Sequence, residues 1–151
     1  MTITITPESP LSEEGRDLIA ASQEALLDVF EADEIFSFSA EDLALPGVTF
    51  LMGRDEDGAP LGCVAMVDYR DYVEVKRLYV APRGRRRGVA HLLMEDLERR
   101  AREAGHEIVR LETGDALVAA VQLYTTLGYA VRGPFGDYAE HPASLFMEKH
   151  L

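Results

Sequence analysis

The chain has 151 residues, 47% apolar and 28% charged, and its 27 acidic against 15 basic side chains leave a formal net charge of −12. That size fits a single domain, 1–151, with a sizeable core, and the acidity excludes the broad basic face that duplex nucleic acid needs. No apolar run approaches the roughly 18 residues that span a membrane, and Met1 to Pro10 has neither a basic nor an apolar leader pattern, so a cytoplasmic protein without membrane or nucleic-acid partners is expected.

Thr2 to Thr6 alternates threonine with isoleucine, which predicts a short strand closed by Pro7. Ser12 then precedes apolar positions Leu18, Ile19, Leu26, Leu27, Val29 and Phe30, whose spacing predicts a helix to about Glu31. Ala32 to Pro46 reads as an acidic loop with a helical turn at Ala40 to Leu43, expected to face substrate. Val48 to Gly53 and Leu61 to Tyr69 read as strands joined by the turn Asp55-Glu56-Asp57-Gly58, and Tyr72 to Val80 as the next strand. The lone cysteine, Cys63, lies in the apolar run Leu61 to Val67 and reads as core; it excludes an internal disulfide. No cysteine–histidine cluster has zinc spacing, so no metal is expected.

After the fourth strand comes Arg83-Gly84-Arg85-Arg86-Arg87-Gly88-Val89-Ala90-His91, which opens a helix with apolar positions Val89, Leu92, Leu93, Leu97 and Ala101, stopped by Gly105. The glycines let the backbone turn sharply and approach a ligand. The first helical turn offers unpaired N–H groups and a positive dipole end, so the segment reads as a pyrophosphate cradle. It is neither the dinucleotide glycine fingerprint nor a Walker loop, because the third glycine and the Walker lysine are missing. Ile108 to Leu111 then predicts a strand parallel to the fourth, Asp115 to Leu127 a helix ended by Gly128, and Tyr129 to Arg132 and Ser144 to Lys149 two more strands. The layout is mixed α/β: antiparallel strands, then a βαβ unit, with helices on both faces of one sheet.

The spacing Arg85-x-x-Gly88-x-Ala90 resembles the acetyl-coenzyme A signature of the GNAT superfamily of N-acetyltransferases. Ala120, Leu123, Tyr124, Gly128 and Tyr129, following the acidic strand end Glu112, are similar to that family's second signature. The resemblance runs from about Val48 to Leu151 and is nearest to small bacterial acetyltransferases of mostly unassigned substrate. It implies a splay between strands four and five that admits the pantetheine arm. It also implies cofactor contacts from Leu78, Tyr79, Val80, Arg85, Arg86, Arg87, Gly88, Val89, Ala90 and His91, with Arg83 or Arg85 reaching the 3′-phosphate. One departure stands out: many members carry an asparagine seven residues before the motif tyrosine, and here that residue is Leu117.

Acetyl transfer to an amine needs a base for the attacking nitrogen, a donor for the developing oxyanion and an acid for the leaving thiolate. The resemblance implies Glu112 or Glu74 as base, Tyr124 as acid and the Leu78 N–H, freed by a bulge, as oxyanion donor. The implied reaction is transfer from acetyl-CoA to a primary amine of a small molecule or peptide. The acidic pairs Asp33-Glu34 and Asp55-Glu56-Asp57 suggest a cationic acceptor. Phe135, Tyr138 and His141 sit in a late loop that shapes either an acceptor pocket or a dimer contact, and small members of the family are often homodimers. Two other readings stay open: a catalytically silent acyl-CoA-binding or regulatory module, and a nucleotide-binding protein.

Overall fold

The computed structural model describes residues 2–151. One seven-stranded sheet, in the order β1-β2-β3-β4-β5-β7-β6, carries the chain. Strands β1 (Thr4–Pro7), β2 (Val48–Arg54), β3 (Pro60–Tyr69) and β4 (Tyr72–Val80) pair antiparallel in chain order. β5 (Ile108–Thr113) then joins β4 in parallel, β7 (Leu145–His150) pairs antiparallel with β5, and β6 (Ala130–Arg132) closes the far edge.

Period-two alternation sends the β2 and β3 side chains to two helical layers. Phe50, Met52, Cys63 and Ala65 pack against Leu18 and Ile19 of α1 (Glu13–Leu27) and Leu43 of α2 (Ala40–Leu43). Leu51, Val64 and Met66 face the other way, onto Val89, Leu93, Met94, Leu97 and Ala101 of α3 (Val89–Glu103), and Leu61, out of step with that alternation, joins the same cluster. Tyr124 of α4 (Val118–Thr126) joins that second layer. Cys63 is fully buried, and burial pushes its thiol pKa up to about 12. Among the described residues no helix is long and apolar enough to cross a membrane.

Several boundaries differ from the sequence expectations. β1 begins at Thr4 and includes Pro7, which its edge position tolerates because no neighbour on the open side needs its missing N–H. α1 stops at Leu27, not Glu31: Leu27 and Val29 are exposed, and Glu31 with Glu34 builds a capping box that starts a separate 3₁₀ turn, Ala32–Glu34. α4 begins at Val118, not Asp115. A Cβ on Gly114 would lie 2.6 Å from the Phe30 ring and 2.8 Å from the Ala143 carbonyl oxygen, so the chain turns there first, with the Leu117 N–H donating to Gly114 O at 2.9 Å. β5 runs two residues longer than expected, to Thr113, because β7 keeps pairing with it as far as Leu145. Glu112 is therefore inside that ladder rather than at its end. Gly105, at φ +88, closes α3 as expected, with the His106 N–H reaching Ala101 O at 2.9 Å.

Candidate active site

The parallel ladder between β4 and β5 is short, joining only Val73 to Val109, Glu74 to Arg110 and Val75 to Leu111. Both strands continue past it without pairing, so a gap opens beside Lys76–Val80. On its other edge β4 bulges: Cys63 pairs with Tyr79 and Ala65 with Lys76, which sets Arg77 and Leu78 together against Val64. Arg77 takes φ +55, an uncommon angle for a residue with a side chain. Its half-buried guanidinium donates to Phe38 O at 3.0 Å and to Ser22 Oγ at 2.9 Å, tying the bulge to the connection between α1 and α2 and to α1 itself.

A pocket of about 120 Å³ occupies the gap, bounded by Leu78, Glu112, Leu117, Ala120, Tyr124 and Phe30 among others. Burial raises the Glu112 carboxyl to about 7, a shift tempered by the Ser144 hydroxyl and the Lys76 charge and reinforced by Glu74. Tyr124 is buried, and its phenol is held well above the ordinary range by burial and then by the Glu112 charge. Glu112 and Tyr124, expected from the sequence, thus line one pocket and feel one another electrostatically.

Glu74 lies elsewhere. It is 2% exposed, ion-paired with Lys76 Nζ at 3.2 Å, and accepts a hydrogen bond from the Tyr138 hydroxyl at 2.6 Å. Lys76 also donates to the Tyr138 hydroxyl and to Phe36 O, the latter at 3.0 Å. The sequence alone did not join Lys76 and Tyr138 to Glu74. The signal for Lys76 was its place two residues on, on the same strand face; Tyr138 carried none.

At the far end of the gap, the chain passes Pro82–Gly84 as a 3₁₀ turn and enters α3 through two left-handed residues, Arg86 at φ +63 and Gly88 at φ +75. A Cβ at Gly88 would meet nothing within 4 Å, so the turn faces open space. The Leu92 N–H is the first to close onto the helix, on Gly88 O at 3.0 Å, which leaves the Val89, Ala90 and His91 amides without an intrahelical acceptor. Arg83, Arg85, Arg86 and Arg87 are exposed around this turn. The exposed His91 ring pairs with Glu95 at 2.8 Å, one turn along the helix. Gly84 does something other than expected: it is buried, and a Cβ there would come within 2.7 Å of Leu61 O, so it permits close packing on β3 rather than approach to a ligand.

Residues 15–129 match the family model described as the acetyltransferase (GNAT) family. The chain belongs to this family. An Azospirillum brasilense protein named IAA acetyltransferase is 38% identical over 151 residues, covering 99% of this chain and 98% of its own. A solved Klebsiella pneumoniae structure, named provisionally as an acyl-CoA N-acyltransferase, superposes with a TM-score of 0.83 at 34% identity, over 99% of this chain and 97% of that one. The Thermoplasma acidophilum PaiA N-acetyltransferase, crystallised with coenzyme A, shares the fold with a TM-score of 0.79 at 20% identity and full coverage of both chains.

In this GNAT protein the departure at Leu117 falls on the pocket wall, at the N-cap of α4, where an apolar side chain replaces the amide that many members carry. Of the acidic loops, Glu34 lines the pocket. The Asp55–Asp57 turn is occupied in building the β2–β3 hairpin: Asp55 Oδ1 accepts from the Asp57 and Ala59 N–H groups, each at 2.9 Å.

Proposed function

We propose that the protein transfers the acetyl group of acetyl-CoA to a primary amine, with Glu112 as general base and Tyr124 as general acid. The observation that carries this reading is the meeting of the two side chains in one pocket beside the edge of β4 that β5 leaves unpaired, level with the bulge on its other edge. The thioester supplies an activated acetyl group. The chain's residues fit it: the open edge at Leu78, Tyr79 and Val80 suits the amides of the pantetheine arm, and the Leu78 N–H at the bulge suits the oxygen that gains charge. Backbone amides from Arg86 to His91 suit the pyrophosphate, and Arg83 or Arg85 suits the 3′-phosphate.

A carboxyl titrating at about 7 is half ionised at neutral pH, so Glu112 can take a proton from an amine and return it to solvent. Tyr124 rests protonated at neutral pH, and after giving its proton to the thiolate it regains one from solvent. The Glu112 charge raises the phenol, so once Glu112 has accepted the amine's proton that penalty disappears. Tyr124 becomes the better donor at the moment the thiolate leaves. Glu74 is the weaker candidate because Lys76 and Tyr138 already occupy its carboxylate.

Thermal-shift titration with acetyl-CoA, coenzyme A and ATP tests the donor, using wild type, Gly88→Ala and Gly88→Glu. Both substitutions meet the same strain at φ +75, and only glutamate adds repulsion toward a pyrophosphate. Stabilisation by both CoA species and not by ATP, kept in the alanine variant and lost in the glutamate variant, is expected. Absence of any shift with the CoA species refutes the assignment. Tyr124→Phe separates an enzyme from a silent binding module: it should keep the thermal shift and lose turnover.

A further inference from the structure

We propose that the acceptor is a primary amine on an aromatic body, an arylalkylamine, whose ring lodges in a second cavity beside the transfer pocket. This rests on the acetyl-transfer reading above. The cavity measures about 580 Å³, within the range of small-molecule sites, and five rings line it: Phe36, Phe38, Tyr69, Tyr72 and Tyr138. It shares Ile35, Phe36, Ser37 and Lys76 with the transfer pocket, so the two cavities are neighbours across these four residues.

The state of the rings points to a ligand that covers them. Phe36 and Tyr69 are each 37% exposed, although neighbouring Phe135 and Phe146 are buried at 5% and 4%. The pairs that form across this wall are edge-to-face or tilted, Phe36 with Tyr138 at 6.3 Å and Tyr69 with Tyr72 at 5.3 Å, the arrangement into which another aromatic edge or face inserts.

Charge narrows the class further. The one buried carboxylate in the cavity, Glu74, is already matched by Lys76 and Tyr138, which leaves exposed Asp137 as the other acid on this wall. Within this cavity a polycation would find only Asp137 unmatched, and an anion would meet a net charge of −12. A monocationic arylalkylamine meets both constraints: it is drawn in as the ammonium, buries its ring, and presents its nitrogen toward Glu112, which removes the proton.

The chain contains no tryptophan, so indole fluorescence, excited selectively over the six tyrosines, reports tryptamine binding without tryptophan background. Tryptamine is titrated into wild type, Tyr69→Ala and Tyr69→Phe in the presence of coenzyme A. Thiol release from acetyl-CoA is then compared for phenethylamine and hexylamine. Tyr69→Ala should weaken tryptamine binding about tenfold, and lower the phenethylamine-to-hexylamine ratio of kcat/KM by a similar factor, while Tyr69→Phe retains both. Equal kcat/KM for the two amines in wild type, or unaltered tryptamine affinity in Tyr69→Ala, overturns the aromatic assignment and leaves acetyl transfer standing. Tryptamine binding that depends on Tyr69, with no thiol released for any amine, supports the cleft and overturns the acetyl-transfer reading instead.

Discussion

The two halves of β4 come from one uninterrupted strand and do opposite work. Tyr72–Val75 is flanked on both sides, by β3 and by parallel β5, and buries Val73, Glu74 and Val75 to 4% exposure or less. Lys76–Val80 keeps only β3, bulges at Arg77 and Leu78, and from Arg77 onward is half-buried. A sheet satisfies its backbone by pairing, so the half that loses one neighbour exposes an edge that a ligand can complete. The contrast teaches that the site is made by ending a ladder early, not by adding a loop.

The same contrast separates the two glutamates, and substitution sharpens it most strongly on the open side. Glu112→Gln removes the proposed base while keeping the side chain's shape, so kcat/KM should fall about 10²–10⁴-fold. Wild-type kcat/KM should climb with pH through about 7 as the carboxyl ionises, and the climb should vanish in the variant. A variant within a factor of about three of wild type would move the base elsewhere. For Glu74, in the closed half, Lys76→Met strands the buried carboxylate, with an expected loss of about 3 kcal/mol in urea unfolding. The double variant Glu74→Gln/Lys76→Met should regain most of it, because no buried charge is then left unmatched.

A third difference concerns stability against pH. The Glu112 carboxyl titrates at about 7 in the folded protein against an ordinary value of 4.5, so between those values the native state holds the extra proton. Its contribution is fully present below pH 4.5 and is lost as pH rises through 7. Glu112→Gln should therefore be more stable than wild type at pH 8 and no more stable at pH 4.5, with a gain of about 2 kcal/mol after allowing for solvent screening of a half-buried group.

Much of this architecture was legible in the sequence. The apolar runs Val48–Gly53 and Leu61–Val67, buried on both faces, the stripe Val89–Leu93–Leu97–Ala101, buried on one, and the stop at Gly105 are local patterns. The misjudged ends are tertiary. Gly114 shapes the start of α4 because Phe30 lies against it, and no local rule carries that contact. Glu112 and Tyr124 were recognised through family signatures, whereas the cradle was read from its glycines and the helix that follows them. The Lys76–Tyr138 and Tyr138–Glu74 contacts, 62 and 64 residues apart in sequence, escaped because nothing local marks such partners.

The smallest test asks whether the bulge itself is under strain. Arg77 holds φ +55, which costs a side-chain-bearing residue about 1 kcal/mol relative to glycine. Its guanidinium returns hydrogen bonds to Phe38 O and Ser22 Oγ. Arg77→Ala loses those bonds and keeps the strain; Arg77→Gly loses the bonds and relieves it. Glycine ordinarily weakens a strand, yet at this position it should be more stable than alanine by about 1 kcal/mol in urea unfolding. Alanine equal to or better than glycine would mean that the chain relaxes φ once the guanidinium is gone. The bulge would then be held open by the Arg77 side chain, and both variants should lose acetyl transfer together; the expected order instead places the bulge in the backbone, and Arg77→Gly should keep acetyl transfer.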